Sequence, residues 1–157
     1  MGTCGTIRFG LLRLQRLFTT EGTESTENGN PGGCVEKDSL SHAVIGAAIA
    51  VHREMGPGLL ESVYQACLAS ELGQLGVPFA LGVEIPLVYR EQVLTTRLRL
   101  DVLVDAQLIL ELKSVDKLAP IHSAQILSYL RLTGHRRGLL MNFNVTRLTE
   151  GIVRFVL

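Results

Sequence analysis

A chain of 157 residues with 46% hydrophobic residues has the size of one globular domain and enough apolar mass to bury a core. Fifteen Lys and Arg balance fifteen Asp and Glu, which argues against a general polyanion binder but leaves room for a local basic rim at one nucleic-acid site. Cys4, Cys34 and Cys67 are odd in number and lack zinc-type spacing, and no apolar run nears the roughly 18 residues of a bilayer span, so a disulfide framework, a structural zinc and a membrane span are disfavoured and a soluble cytoplasmic protein is expected.

Residues 1–37 differ in kind from the rest. Between Ile7 and Phe18, apolar residues mix with Arg8, Arg13 and Arg16, as in a targeting or membrane-surface helix, and Met1 to Thr6 fits the N-myristoylation pattern with a neighbouring Cys. Such short patterns arise often by chance; a dispensable extension, or a start placed too far upstream, is the preferred reading. Thr19 to Gly33 consists largely of Thr, Glu, Ser, Asn and Gly, which bury too little surface to become ordered, and reads as a disordered linker. The expected organisation is therefore an extension over 1–37, disordered or targeting-like, and a folded domain over 38–157.

From Asp38 the pattern tightens. Ser39 or Ser41 can cap a helix whose Val44, Ala47, Ala48 and Val51 recur at helical spacing until Gly56-Pro57-Gly58 ends it. A second helix is predicted from Leu59 to Leu75; Glu61, Tyr64, Leu68 and Glu71 recur along it at spacings of three and four, which puts Glu61 and Tyr64 on one face. Gly76-Val77-Pro78 breaks it. The period then becomes two: Val83, Ile85, Leu87 and Tyr89 alternate with more polar neighbours, a turn at Glu91-Gln92 follows, and Leu94 to Val104 makes a second strand. Asp105-Ala106-Gln107 turns into a third strand, Leu108 to Val115, and these short connections favour an antiparallel meander. Pro120 opens a helix over Ile121 to Leu132 that Gly134 closes, Gly138 to Phe143 is another apolar run, and Ile152 to Leu157 supplies a last strand. The order is that of an α+β protein.

Alternation also locates the chemistry. Arg97, Arg99 and Asp101 share one face of the second strand, and Glu111 and Lys113 share one face of the third, flanked by Leu110 and Leu112. Charged groups in so apolar a strand are costly to desolvate unless paired or metal-bound. Two carboxylates on neighbouring strands can converge on a hard cation such as Mg²⁺, with the lysine free to orient water or neutralise charge on a phosphorane. Spacing alone leaves open a structural Glu111–Lys113 ion pair with Asp101 at a strand end.

The sequence Asp101, nine residues, Glu111-Leu112-Lys113 resembles the signature of the PD-(D/E)XK nuclease superfamily. Gly56-Pro57-Gly58-Leu59-Leu60-Glu61-Ser62-Val63-Tyr64 is similar to the motif of its GxxxExxY branch, Gln125 to Leu130 matches the QxxxY helix of many relatives, and Gly138 to Phe143 looks like the branch's next strand. The resemblance runs from about His42 to Leu157. It implies a restriction-endonuclease-like αβββαβ core, a mixed sheet flanked by helices, and a Mg²⁺- or Mn²⁺-dependent hydrolase that cuts phosphodiester bonds, with DNA as the expected partner. By the same resemblance Asp101, Glu111 and Glu61 are metal ligands and Lys113 completes the catalytic set. Leu100 stands where the signature has Pro. Gln125 and Tyr129 are candidates for substrate contact or support of the site, and Tyr64, Arg97 and Arg99 join them; His122 is not assigned as a general base.

Arg131, Arg136 and Arg137 form a second basic set that can meet phosphates or be a solvated turn. No recognition helix or aromatic stripe supports sequence-specific reading. A homodimer fits a double-strand cut. The alternative function is a nuclease-fold module that binds nucleic acid or a protein without turnover.

Overall fold

The computed structural model describes residues 38–157; the expectations for 1–37 lie outside them. Helix α1, Ser39–Met55, is capped by Asp38, whose carboxylate accepts the Ser41 amide at 3.1 Å and the Ser41 hydroxyl as well. The cap is thus Asp38 in place of either serine, and its fixed charge suits a helix N-terminus. Burial pushes the Asp38 carboxyl up, but the Ser41 bonds and Arg137, 2.6 Å away at the start of β4, outweigh it and leave it below the ordinary range.

Val44, Ala47, Ala48 and Val51 form the buried stripe of α1. After Gly56, at φ 67°, helix α2 spans Glu61–Gln74 and adds Tyr64, Leu68 and Leu72 to the same core. The helix starts two residues later than its periodicity suggests, because Leu59 belongs to the turn: its amide donates to the Tyr64 hydroxyl at 3.1 Å.

The sheet holds β1 (Phe79–Tyr89), β2 (Gln92–Val104), β3 (Leu108–Lys113), β4 (Arg137–Asn142) and β5 (Ile152–Val156), in that spatial order. The first three strands form an antiparallel meander; β4 runs parallel to β3, reached through α3 (Pro120–Thr133), and β5 is antiparallel to β4. The sheet is therefore mixed. The first turn lies at Arg90-Glu91, one residue earlier than expected, with φ of 45° and 66°. Positive φ at both positions is the requirement of a two-residue type I′ loop, which matches strand twist, and Gln92 is released to pair with Tyr89.

Two layers of side chains hold the sheet. Val102, Val104, Leu110 and Leu112 face α1 and α2, whereas Leu103 and Ile109 pack with Leu130 of α3 on the other side. The tip half of the β1–β2 ribbon has neither layer: residues Gln92 to Arg97 are all exposed, so their alternation does not mark a buried face. Strand β3 stops at Lys113, two residues short of expectation, because the Asn142 side chain takes over the backbone of Val115, accepting its N–H at 3.0 Å and donating to its carbonyl at 2.7 Å.

Candidate active site

Strands β2 and β3 part company at the site. Their pairing runs over Val104–Leu108, Leu103–Ile109 and Val102–Leu110 and goes no further. One residue beyond, Oδ2 of Asp101 accepts the Leu112 amide at 2.9 Å, and the Asp101 carbonyl is met by Nε2 of Gln65 at 2.7 Å. The Leu112 amide and the Asp101 carbonyl are thus satisfied by side chains, as buried backbone groups must be. The fork opens into a cleft of about 320 Å³ lined by Glu61, Ser62 and Gln65 of α2, Arg99 and Asp101 of β2, and Leu112 of β3.

Glu111 follows on β3 and is 1% exposed. Its Oε1 accepts from Nζ of Lys113 at 2.6 Å, while its Oε2 is buried with no protein partner. Burial is the main reason its carboxyl is pushed up to about 7; the Lys113 hydrogen bond opposes the shift, and the charges of Asp101 and Glu61 add to it. Burial likewise raises Asp101, with the Leu112 amide and Lys113 pulling the other way. For Lys113 burial lowers the pKa, but the hydrogen bond to Glu111 and the three surrounding carboxylates outweigh it and hold the ammonium above its ordinary value. The site is a lysine set among acids that repel one another.

Glu61, the first residue of α2, is exposed on the cleft wall, where Oε1 accepts the Ser114 amide at 3.1 Å. The Ser114 hydroxyl donates to the Leu59 carbonyl at 2.6 Å, so the end of β3 and the start of α2 are tied by two bonds. Tyr64 is fully buried, stacked on Phe143 at 4.4 Å, and its hydroxyl donates to the Gly56 carbonyl at 2.7 Å. It shapes the turn that presents Glu61. Besides Glu61, Ser62 and Gln65 of α2 reach the cleft, and Gln65, one turn on, bonds to the Asp101 carbonyl.

The remaining candidates are dispersed. Gln125 donates to the Tyr129 hydroxyl at 3.0 Å, and Tyr129 packs with Leu100, Leu103, Ile109 and Leu130; among the described residues no hydrogen bond links either to Asp101, Glu111 or Lys113. His122 accepts the Ala119 amide through Nδ1 at 3.1 Å and so caps α3. Arg97 forms an exposed ion pair with Glu84 at 3.6 Å, whereas Arg99 lines the cleft. Arg137 is held by Asp38 and by Gln107. It pairs with Leu108, whereas Glu111 pairs with Leu140, so the start of β4 and the Glu111 position lie about 10 Å apart along the strand direction.

Three contributors escape a reading by periodicity: Gln65, which bonds to a backbone carbonyl in a different element; Asn142, which clips the loop after Lys113; and Gly82, which leaves room for the Arg99 guanidinium. Only Gln65 had a local signal, a polar side chain four residues after Glu61.

Among the described residues no three carboxylate, imidazole or thiol groups form a ready ligand cage. Two hard carboxylates, one with an unpartnered buried oxygen, nevertheless suit a divalent cation of the Mg²⁺ kind, which is commonly bound by one or two carboxylates together with substrate phosphate.

A mixed sheet that forks between an aspartate and a Glu-x-Lys strand, backed by helices on both faces, is the restriction-endonuclease-like architecture. The chain belongs to the PD-(D/E)XK nuclease superfamily: the family model of that description matches residues 38–155. Nucleases of this superfamily generally use divalent metals and act on nucleic acid. No curated protein and no solved structure matches the chain. No helix among the described residues is long and apolar enough to cross a membrane.

Proposed function

We propose that the domain, beginning near Asp38, is a Mg²⁺- or Mn²⁺-dependent nuclease of the GxxxExxY branch that hydrolyses phosphodiester bonds, foremost in DNA. The observation that carries this reading is Glu111: a carboxylate 1% exposed, with one oxygen on Lys113 and the other without a partner, one strand away from Asp101. A core position is a costly place for such a group unless a cation completes it.

Asp101 and Glu111 are the residues that would hold the cation, with Glu61 on the adjoining wall. When bound, such an ion polarises a phosphoryl oxygen and lowers the pKa of water. The chain's own contribution is positional. The Leu112 amide fixes the Asp101 carboxylate, and Ser114 fixes Glu61. Lys113 places an ammonium within the acidic group, where it can orient the attacking water and offset charge that gathers on the phosphorane. Gln125 and Tyr129 support the α3 side.

Binding without turnover is favoured by one observation, that Lys113 is engaged by Glu111 and not held apart. The test is cleavage of labelled duplex and single-stranded DNA and RNA across a titration of Mg²⁺ and Mn²⁺, with wild type and Asp101→Asn side by side. Metal-dependent cleavage that the substitution abolishes supports the proposal. Absence of cleavage by folded wild type over the whole panel refutes it.

A further inference from the structure

Gly82 stands across from Asp101 in the sheet. The β1–β2 register pairs Leu81 with Val102 and Val83 with Leu100, and Gly82 between them is unpaired, with φ of +57°. Residues at i and j − 2 of an antiparallel pair are diagonal neighbours on one face, so the diagonal partner of position 82 is Arg99. The guanidinium uses that relation. A Cβ on Gly82 would lie 2.7 Å from both Nε and Nη2 of Arg99 and 3.1 Å from its Cζ. The space that any other residue would fill is occupied by the Arg99 head group.

Its surroundings differ from those of its neighbour. Arg97, two residues away on the same face, is in an ion pair with Glu84. Arg99 forms no ion pair among the described residues and lines the cleft with Glu61, Gln65 and Asp101. A guanidinium held beside a carboxylate but not spent on it is suited to a planar, two-oxygen anion. Strand alternation groups Arg97 and Arg99 together; the seat at Gly82 distinguishes them.

We propose that Arg99, seated over Gly82, is the residue of the cleft that binds a phosphate of the nucleic-acid backbone next to the bond being cut. The proposal rests on the nuclease reading for what the phosphate belongs to, but its test is a binding measurement. Each phosphate contact adds about 0.9 to the slope of log affinity against log salt on duplex DNA. Affinity for a labelled duplex is measured across a salt series in Ca²⁺ for wild type, Arg99→Met, Gly82→Ala and, as a control on the far edge strand, Arg154→Met. The slope is expected to fall by about 0.9 in Arg99→Met and to stay at the wild-type value in Arg154→Met. In Gly82→Ala, which keeps every charge, it is expected to fall in the same direction, because the methyl displaces the guanidinium.

A wild-type slope in Arg99→Met overturns the proposal, as does a wild-type protein with no measurable salt-dependent binding. A wild-type slope in Gly82→Ala overturns the part assigned to the glycine. Because Gly82 has positive φ and alanine is strained there, the exposed Arg99→Met is the deciding variant should Gly82→Ala fold poorly. Cleavage measured in parallel separates the two readings. An Arg99-dependent slope without any cleavage leaves the phosphate seat standing and removes the nuclease; cleavage with an unchanged slope does the reverse.

Discussion

The Leu112 amide donates to Oδ2 of Asp101 at 2.9 Å, so at the fork of the sheet an acidic side chain replaces a backbone carbonyl. Asp101 therefore has a structural duty besides any chemical one, and substitutions separate the two. Asparagine keeps an acceptor for the amide and should leave the melt in chelator within about 1 kcal/mol of wild type, whereas alanine leaves a buried N–H unsatisfied and should cost about 1–3 kcal/mol. Adding millimolar Mg²⁺ should raise the melting temperature of wild type but not of Asp101→Asn. Urea and thermal melts with and without metal check all three statements; a metal-linked rise retained by Asp101→Asn would remove Asp101 from the metal site.

A pH dependence follows from the raised carboxyls. In the folded protein Glu111 keeps its proton up to about 7, and Asp101 is shifted in the same direction, while in the unfolded chain both ionise in the ordinary carboxylate range. The native state thus binds more protons between that range and about 7, and stability must fall as pH rises through this window, then level off. Melts in chelator between about pH 5 and 8 should show the decline, and Glu111→Gln should flatten most of it. Stability that rises over the window in the wild type would contradict the burial that raises the Glu111 carboxyl.

Tyr64→Phe tests how the start of α2 is held. The ring can keep its stack on Phe143, but the Leu59 amide and the Gly56 carbonyl lose their partner, at an expected cost of about 1–3 kcal/mol. Tyr64→Ala, which also removes the ring, should cost about 3–5 kcal/mol. Equal urea midpoints for wild type and Tyr64→Phe would show that the hydroxyl does not support the turn.

The order of helices and strands could be read along the chain because Val44 to Val51 repeat at helical spacing and Leu98 to Val104 alternate strongly, each a local signal. Alternation also put Asp101 on one face of its strand and Glu111 and Lys113 on one face of theirs. Periodicity has no access to where strands separate: nothing local in Leu100 to Val104 says that pairing with β3 ends at Val102, since that depends on Gln65 and Leu112 from distant segments. The helix cap shifted from the serines to Asp38, and Tyr64, three residues after the exposed Glu61, is fully buried, because a spacing of three can straddle the edge of a buried stripe. Gly82 carries no signal of its own; only the guanidinium of Arg99 across the ribbon gives it meaning.

Lys113 decides most directly whether this arrangement catalyses hydrolysis. Lys113→Met keeps the packing of the stem and removes the ammonium, so if the lysine acts mainly on the charge of the transition state, cleavage in Mg²⁺ should slow about a hundredfold, some 3 kcal/mol. Affinity for the same labelled strands in Ca²⁺ should change far less. A melt accompanies both assays, since Glu111 left without Lys113 can weaken the strand and imitate a catalytic defect. The account predicts a folded variant that binds like wild type and cuts about a hundredfold more slowly; equal losses of binding and cleavage, or no cleavage by the wild type itself, would contradict it.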